Sequence, residues 1–149
     1  MDFSLNEEQQ LIVDTTRRFV QSEIVPLEDH LDPDAGSLEP ADQDRLVTTT
    51  KSMGFYGLDI PEEYGGPGLD TTTRALMAIE MSQHRAGLYN PCYGVFGGAG
   101  LAQLYEATDV QKERWLYPTL NGEKKGCFAL TEPSGGSDPA RAIQTRGIK

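Results

Sequence analysis

Histidine and cysteine are scarce in this chain of 149 residues: His30, His84, Cys92 and Cys127 are all there is of either type. None of the four stands at a spacing that ligates a metal or sets a base beside a nucleophile, so the sequence offers no zinc-type or triad-type centre. The histidines read as solvent or helix-end residues. The cysteines, far apart and in apolar surroundings, read as reduced core thiols. Basic residues are also few, 13 Lys and Arg against 23 Asp and Glu, and the formal charge of −10 speaks against a nucleic-acid partner. No apolar run reaches the length of a membrane span. The first eight residues, Met1 to Glu8, are acidic where a signal or transit peptide is basic. A cytoplasmic protein with no membrane span is expected.

What is present is a globular balance, 38% hydrophobic and 24% charged, on a chain long enough for a domain with a real core. Ser4-Leu5-Asn6-Glu7 has the form of a capping box and predicts a helix with Leu5, Ile12, Thr16, Phe19, Val20 and Ile24 on its inner side, ended by Pro26. The acidic stretch from Glu28 to Glu39, with Pro33 and Gly36, reads as an exposed connection. Pro40 predicts the start of a second helix carrying Leu46, Val47 and Met53, stopped by Gly54. The turn-rich series from Met53 to Gly68 predicts a packed loop between helices. Asp70 caps a third helix reaching about His84.

A fourth helix is expected from Asn90-Pro91 through Leu104, its apolar residues interleaved with Gly94, Gly97, Gly98 and Gly100. Each interior glycine costs about 1 kcal/mol relative to alanine, so they serve either close helix packing or room for a ligand. Thr108-Asp109-Val110-Gln111 caps a fifth helix with Trp115, Leu116 and Leu120 on one side, Trp115 being read as a core or subunit-contact residue.

After Lys125 the pattern turns extended. Residues 126–131 read as a short buried strand that runs into Glu132-Pro133 and the turn Ser134-Gly135-Gly136-Ser137, and residues 141–149 alternate in strand fashion. Two adjacent residues without Cβ let successive N–H groups point into one concavity and receive an anionic oxygen. The same four residues also make an ordinary tight turn with no ligand. Thr131 at one end and Ser137 at the other would suit a ligand with a flat polar ring and a phosphate, such as a flavin dinucleotide. Arg141, Arg146 and Lys149 beyond the turn read equally as an exposed face or as phosphate-steering cations.

The run Phe-Ala-Leu-Thr-Glu-Pro-Ser-Gly-Gly-Ser-Asp at 128–138 strongly resembles the flavin-contacting signature of the acyl-CoA dehydrogenase family, with Ser134 and Gly135 where that family more often has Gly and Ala. Ile60-Pro61-Glu62-Glu63-Tyr64-Gly65-Gly66 resembles the Pro-Glu-x-Tyr-Gly-Gly loop of the same family, in the same order along the chain. The resemblance implies a mainly α chain: an N-terminal helical domain over residues 1–125, and the beginning of a middle β-domain over 126–149.

It further implies α,β-dehydrogenation of an acyl-CoA thioester, a carboxylate taking the α-proton while the β-hydride goes to flavin N5. FAD would be held by Phe128, Leu130, Thr131, Gly135, Gly136 and Ser137. The acyl-CoA substrate would meet Tyr93, Gly94, Phe96, Gly98 and Ser137, the glycines suiting a bulky or ring-bearing acyl group. An electron-transfer flavoprotein or a similar acceptor, and a homo- or hetero-oligomer, are the implied partners. In the family a later helical domain supplies the catalytic glutamate, so residues 1–149 are expected to be inert alone, with no catalytic residue among them and Glu132 a turn residue. The competing expectation is a non-catalytic split subunit or interaction module docking on a partner chain.

Overall fold

A computed structural model describes residues 4–32, 34, 38–84, 95–97, 102–127, 129–133 and 135–148. The described residues are helical and contain no strand. The first helix, α1 (Glu7–Phe19), begins two residues later than the sequence pattern suggests. Asn6, not Ser4, is its cap: Asn6 Oδ1 accepts from the Gln9 N–H at 2.8 Å, and Gln9 Oε1 accepts from the Asn6 N–H at 3.2 Å. Asn is as good a cap as Ser, and Gln at the third position completes the reciprocal pair. A π-helical turn, Val20–Ile24, and a 3-10 turn, Val25–Asp29, prolong α1 past Pro26, which sits at the start of the tighter turn where its missing N–H is harmless.

The second helix, α2 (Pro40–Ser52), opens on its proline as expected. The third, α3 (Thr71–Met81), is capped by Asp70, whose carboxylate accepts from the N–H groups of Thr72 and Thr73 and from the Thr73 hydroxyl. Helices α1 and α3 pack against each other, and Arg17 grips Glu80 with two hydrogen bonds of 3.0 and 2.8 Å. Phe19, Val20, Ile24, Leu38, Leu46 and Met77 close into one buried cluster with Val95 and Phe96, the rings of Phe19 and Phe96 meeting edge to face at 5.3 Å. Each such side chain contributes about 1.5–3 kcal/mol on burial.

The segment 95–97 is fastened by its carbonyls. The Thr50 hydroxyl donates to Val95 O at 2.6 Å, and the Gly57 N–H donates to Phe96 O at 2.7 Å. Gly97 has φ +80°, and a Cβ there would lie 2.8 Å from the Gly57 nitrogen. A left-handed residue cannot continue a helix, so the single fourth helix expected through Leu104 is interrupted at Gly97. A 3-10 turn follows over Ala102–Glu106. The rest of that expected helix lies outside the described residues.

The final helical run is α4 (Asp109–Gln111), a π-helical turn Lys112–Leu116 and α5 (Tyr117–Leu120). Here Leu116 is fully buried while Trp115 is 43% exposed, its indole lying beside Arg114 and Lys124 at 4.8 and 4.4 Å. Of the two places expected for the tryptophan, core or subunit contact, the core is ruled out: Trp115 is a surface residue beside two basic side chains, and its neighbour fills the interior. His84, just beyond α3, has a side chain 1% exposed beside Glu28 at 3.4 Å. It is a helix-end residue as read, but sealed from solvent. Cys127 is exposed, not a core thiol, and Cys92 lies outside the described residues. No described helix is long and apolar enough to cross a membrane.

Candidate functional site

The loop between α2 and α3 is the first of the two motif regions. Pro61 leads into a 3-10 turn, Glu62–Tyr64, and the Gly66 N–H returns to Pro61 O at 3.1 Å. A Cβ on Gly66 would sit 1.7 Å from the Ile60 carbonyl oxygen, so only glycine fits. Tyr64 is what ties this loop to the last helical run. Its hydroxyl accepts from Lys112 Nζ at 3.1 Å and its ring meets that of Tyr105 at 4.8 Å. That hydrogen bond is the main reason the Lys112 ammonium is held above its ordinary range. The Pro-Glu-Glu-Tyr-Gly-Gly motif is thus a structural brace among the described residues.

The second region is the bend. Residues 126–131, expected as a buried strand, are neither paired nor buried where described, and Leu130 is 37% exposed. A strand needs a neighbour for its N–H and C=O groups, and no described residue pairs with this one as a strand. The alternation over 141–149 fails to give a strand for a second reason. Pro139 opens a short helix, α6 (Pro139–Ala142), and residues 143–148 beyond it form neither helix nor strand.

The turn closes through the Gly135 N–H, which donates to Glu132 O at 2.9 Å. The Glu132 carboxylate reaches 12 and 13 residues along the chain. It accepts from the Gln144 N–H at 2.8 Å, the Thr145 N–H at 2.9 Å and the Thr145 hydroxyl at 2.5 Å. The Thr145 hydroxyl, followed by the two backbone donors, holds Glu132 below the usual carboxylate range.

Between the two arms lies a hollow of about 40 Å³, walled by Leu130, Thr131 and Glu132 on one arm, by Gly135 and Gly136, and by Pro139, Ala142 and Ile143 on the other. Four of the expected cofactor residues, Leu130, Thr131, Gly135 and Gly136, are brought together here. Ser137 is exposed just past the turn and is not part of the wall. Phe128, Tyr93, Gly94 and Gly98 lie outside the described residues. Phe96, expected against the substrate, is 1% exposed and serves the helical core. Arg141 is paired with Asp138 at 3.6 Å in the short helix α6 and does not line the hollow.

Thr131, Gly136 and Ser137 make no hydrogen bond with another described residue, so their hydroxyls and N–H groups are available. The hollow admits a few waters or one oxygen-rich group and not a whole dinucleotide. The donors therefore fit the polar portions of a flavin dinucleotide, the bulk of which would lie outside the hollow. Glu132 as the tie between the arms, and Pro139, Ala142 and Ile143 as wall, were not expected. A proline after Ser-Asp did signal a helix start, but no local pattern announces contacts made 12 residues away.

The family match described as "Acyl-CoA dehydrogenase, N-terminal domain" covers residues 6–123. The chain belongs to the acyl-CoA dehydrogenase family. Within the family it is 36% identical over 152 residues to the probable acyl-CoA dehydrogenase YngJ of Bacillus subtilis (strain 168), covering 99% of this chain and 37% of that protein. It is 34% identical over 148 residues to the (R)-benzylsuccinyl-CoA dehydrogenase of Thauera aromatica, covering 93% of this chain and 36% of the relative. The crystal structure of an acyl-CoA dehydrogenase complexed with FAD from Bacillus anthracis superposes with a TM-score of 0.61 at 31% identity, over 92% of this chain and 23% of that one. The chain thus spans well under half the length of these acyl-CoA dehydrogenases, and the helical fold described above is that of the family's N-terminal domain.

Proposed function

We propose that this chain is the N-terminal part of an FAD-dependent acyl-CoA dehydrogenase, with residues 1–125 as its helical domain and 126–149 as the start of its middle β-domain. The observation that carries the reading is the bend at 130–137, where Thr131 and Gly136 keep donors without described protein acceptors at the wall of a small hollow, and Ser137 keeps its own just past the turn. FAD, when bound, supplies the hydride acceptor for α,β-dehydrogenation of an acyl-CoA thioester. The N–H of Leu130 or Thr131 and the Thr131 hydroxyl would donate to the polar edge of the ring, stabilising negative charge that develops there. Phe128 would pack near that ring, and the Gly135–Gly136 turn with Ser137 would serve the pyrophosphate or the CoA part of the substrate.

Glu132 is not the base in this reading. Its carboxylate already accepts three hydrogen bonds, and a group held below its usual range is a poor proton acceptor at neutral pH. The acyl group would pass near Tyr93, Gly94, Phe96 and Gly98, the glycines suiting a bulky or ring-bearing group, as the name of the (R)-benzylsuccinyl-CoA relative suggests and those of the equally similar short-chain-specific relatives do not. Electrons would leave to an electron-transfer flavoprotein or a similar acceptor, from a homo- or hetero-oligomer of the longer protein.

Titration of residues 1–149 with FAD, followed by quenching of flavin fluorescence, tests the cofactor assignment. Weak saturable binding that is lost in Thr131→Ala and Ser137→Ala is expected. No binding to this chain or to a longer one containing the whole β-domain would overturn it. Residues 1–149 incubated with acyl-CoA and an artificial electron acceptor are expected to show no turnover, and turnover would refute the view that the base lies elsewhere.

A further inference from the structure

The wall of the hollow comes from two pieces of chain that form no strand among the described residues. Residues 130–133 lie on one side of the turn and 143–145 on the other, both mostly exposed. The hydrogen bonds recorded between these two pieces all end on one side chain, the carboxylate of Glu132, which accepts from Gln144 N–H, Thr145 N–H and the Thr145 hydroxyl. The same residue's carbonyl closes the Gly135 turn at 2.9 Å. Glu132 thus engages the turn with its backbone and the far arm with its side chain.

We infer that Glu132 is the positioning residue of this site: its carboxylate clamps residues 144–145 against the Thr131–Gly136 bend and thereby sets the wall that faces the bound group. The inference rests on the flavin reading for what the wall faces, and on the hydrogen bonds alone for the clamp. A carboxylate suits the task because it offers several lone pairs to converging donors, while a glutamine in its place presents one acceptor oxygen and two unwanted N–H groups. Donors to an ionised group make the stronger hydrogen bonds, so protonation of Glu132 should open the clamp. Of the charged groups along these arms, Asp138 and Arg141 pair with each other at 3.6 Å, and Arg146 follows Thr145 in the exposed segment. None of the three contributes to the lowered titration of Glu132, which comes from the Thr145 hydroxyl and the two backbone donors.

The clamp is read without any cofactor by following amide resonances of residues 1–149 with pH. Gln144, Thr145 and Gly136 are expected to shift together, with one midpoint below the ordinary carboxylate range. Glu132→Gln should remove that step and displace all three resonances at neutral pH, with helical circular dichroism unchanged because no core residue is touched. Thr145→Val, which keeps both backbone donors, should keep the step but raise its midpoint. Amides at 144 and 145 that do not titrate, or a Glu132→Gln spectrum matching the parent at those positions and at Gly136, would overturn the clamp. Where the parent binds FAD, Glu132→Gln should bind it about three- to tenfold more weakly, as expected for losing a hydrogen-bonded tie. Equal affinity would overturn the positioning role, while absence of FAD binding in the parent bears on the flavin reading and leaves the amide result to decide the clamp.

Discussion

Thr50 and Asp70 illustrate two uses of a short polar side chain. Thr50 is fully buried, and its hydroxyl supplies the Val95 carbonyl with a donor. An unpaired buried carbonyl would cost about 1–3 kcal/mol, so this bond seats the segment 95–97 as much as the apolar contacts do. Asp70 works at the surface. Its carboxyl is lowered from its ordinary range chiefly by the Thr73 hydroxyl and then by the Thr73 and Thr72 N–H groups. A depressed carboxyl contributes stability that is present above its unfolded value and lost as pH falls through its folded value. Asp70→Ala should therefore lower the melting temperature at neutral pH, and the gap to the parent should close as pH drops below the ordinary carboxylate range. A gap that stays constant down to that pH in a series of thermal melts would contradict the capping role.

At the scale of elements, helical phase decides which residues hold the fold. Phe19, Val20 and Ile24 lie on the inner face that a regular helical period predicts, and the π-helical turn at 20–24 leaves Val20 and Ile24 fully buried. A second π-helical turn at 112–116 coincides with the separation of Trp115 and Leu116, read on one side, into an exposed and a buried residue. Leu116→Ala should destabilise the chain by about 2–5 kcal/mol, as for other fully buried leucines. Trp115→Ala, which removes only exposed cation–π contacts, should destabilise by about 1 kcal/mol or less. Urea unfolding of the two variants checks the order, and a larger loss at Trp115 would show that the tryptophan is buried in solution.

At the scale of the whole molecule, the described residues up to 125 hold one apolar cluster, and those past 125, which carry the bend, are mostly exposed. Among the described residues, no buried hydrophobic residue of the core falls past 125. Removing 126–149 should accordingly leave the helical circular dichroism per helical residue and the thermal midpoint within about 2 °C of the parent, since local segments with few buried contacts contribute little to global stability. A drop of ten degrees or more would show that the two parts form one cooperative unit.

The sequence alone determined the caps at Pro40 and Asp70, the apolar stripes of the first three helices, the loop and bend motifs, and through those motifs the family. These are local signals, carried by residues within a turn or two of one another. It could not determine that Glu132 meets Gln144 and Thr145, that Gly97 breaks a helix because Gly57 lies against it, or that Leu116 and not Trp115 faces inward. Each of those depends on a partner distant in the chain or on a register shift that no short window encodes. An extended segment shows the same limit: alternation names a strand, but only a neighbouring chain with free N–H and C=O groups makes one.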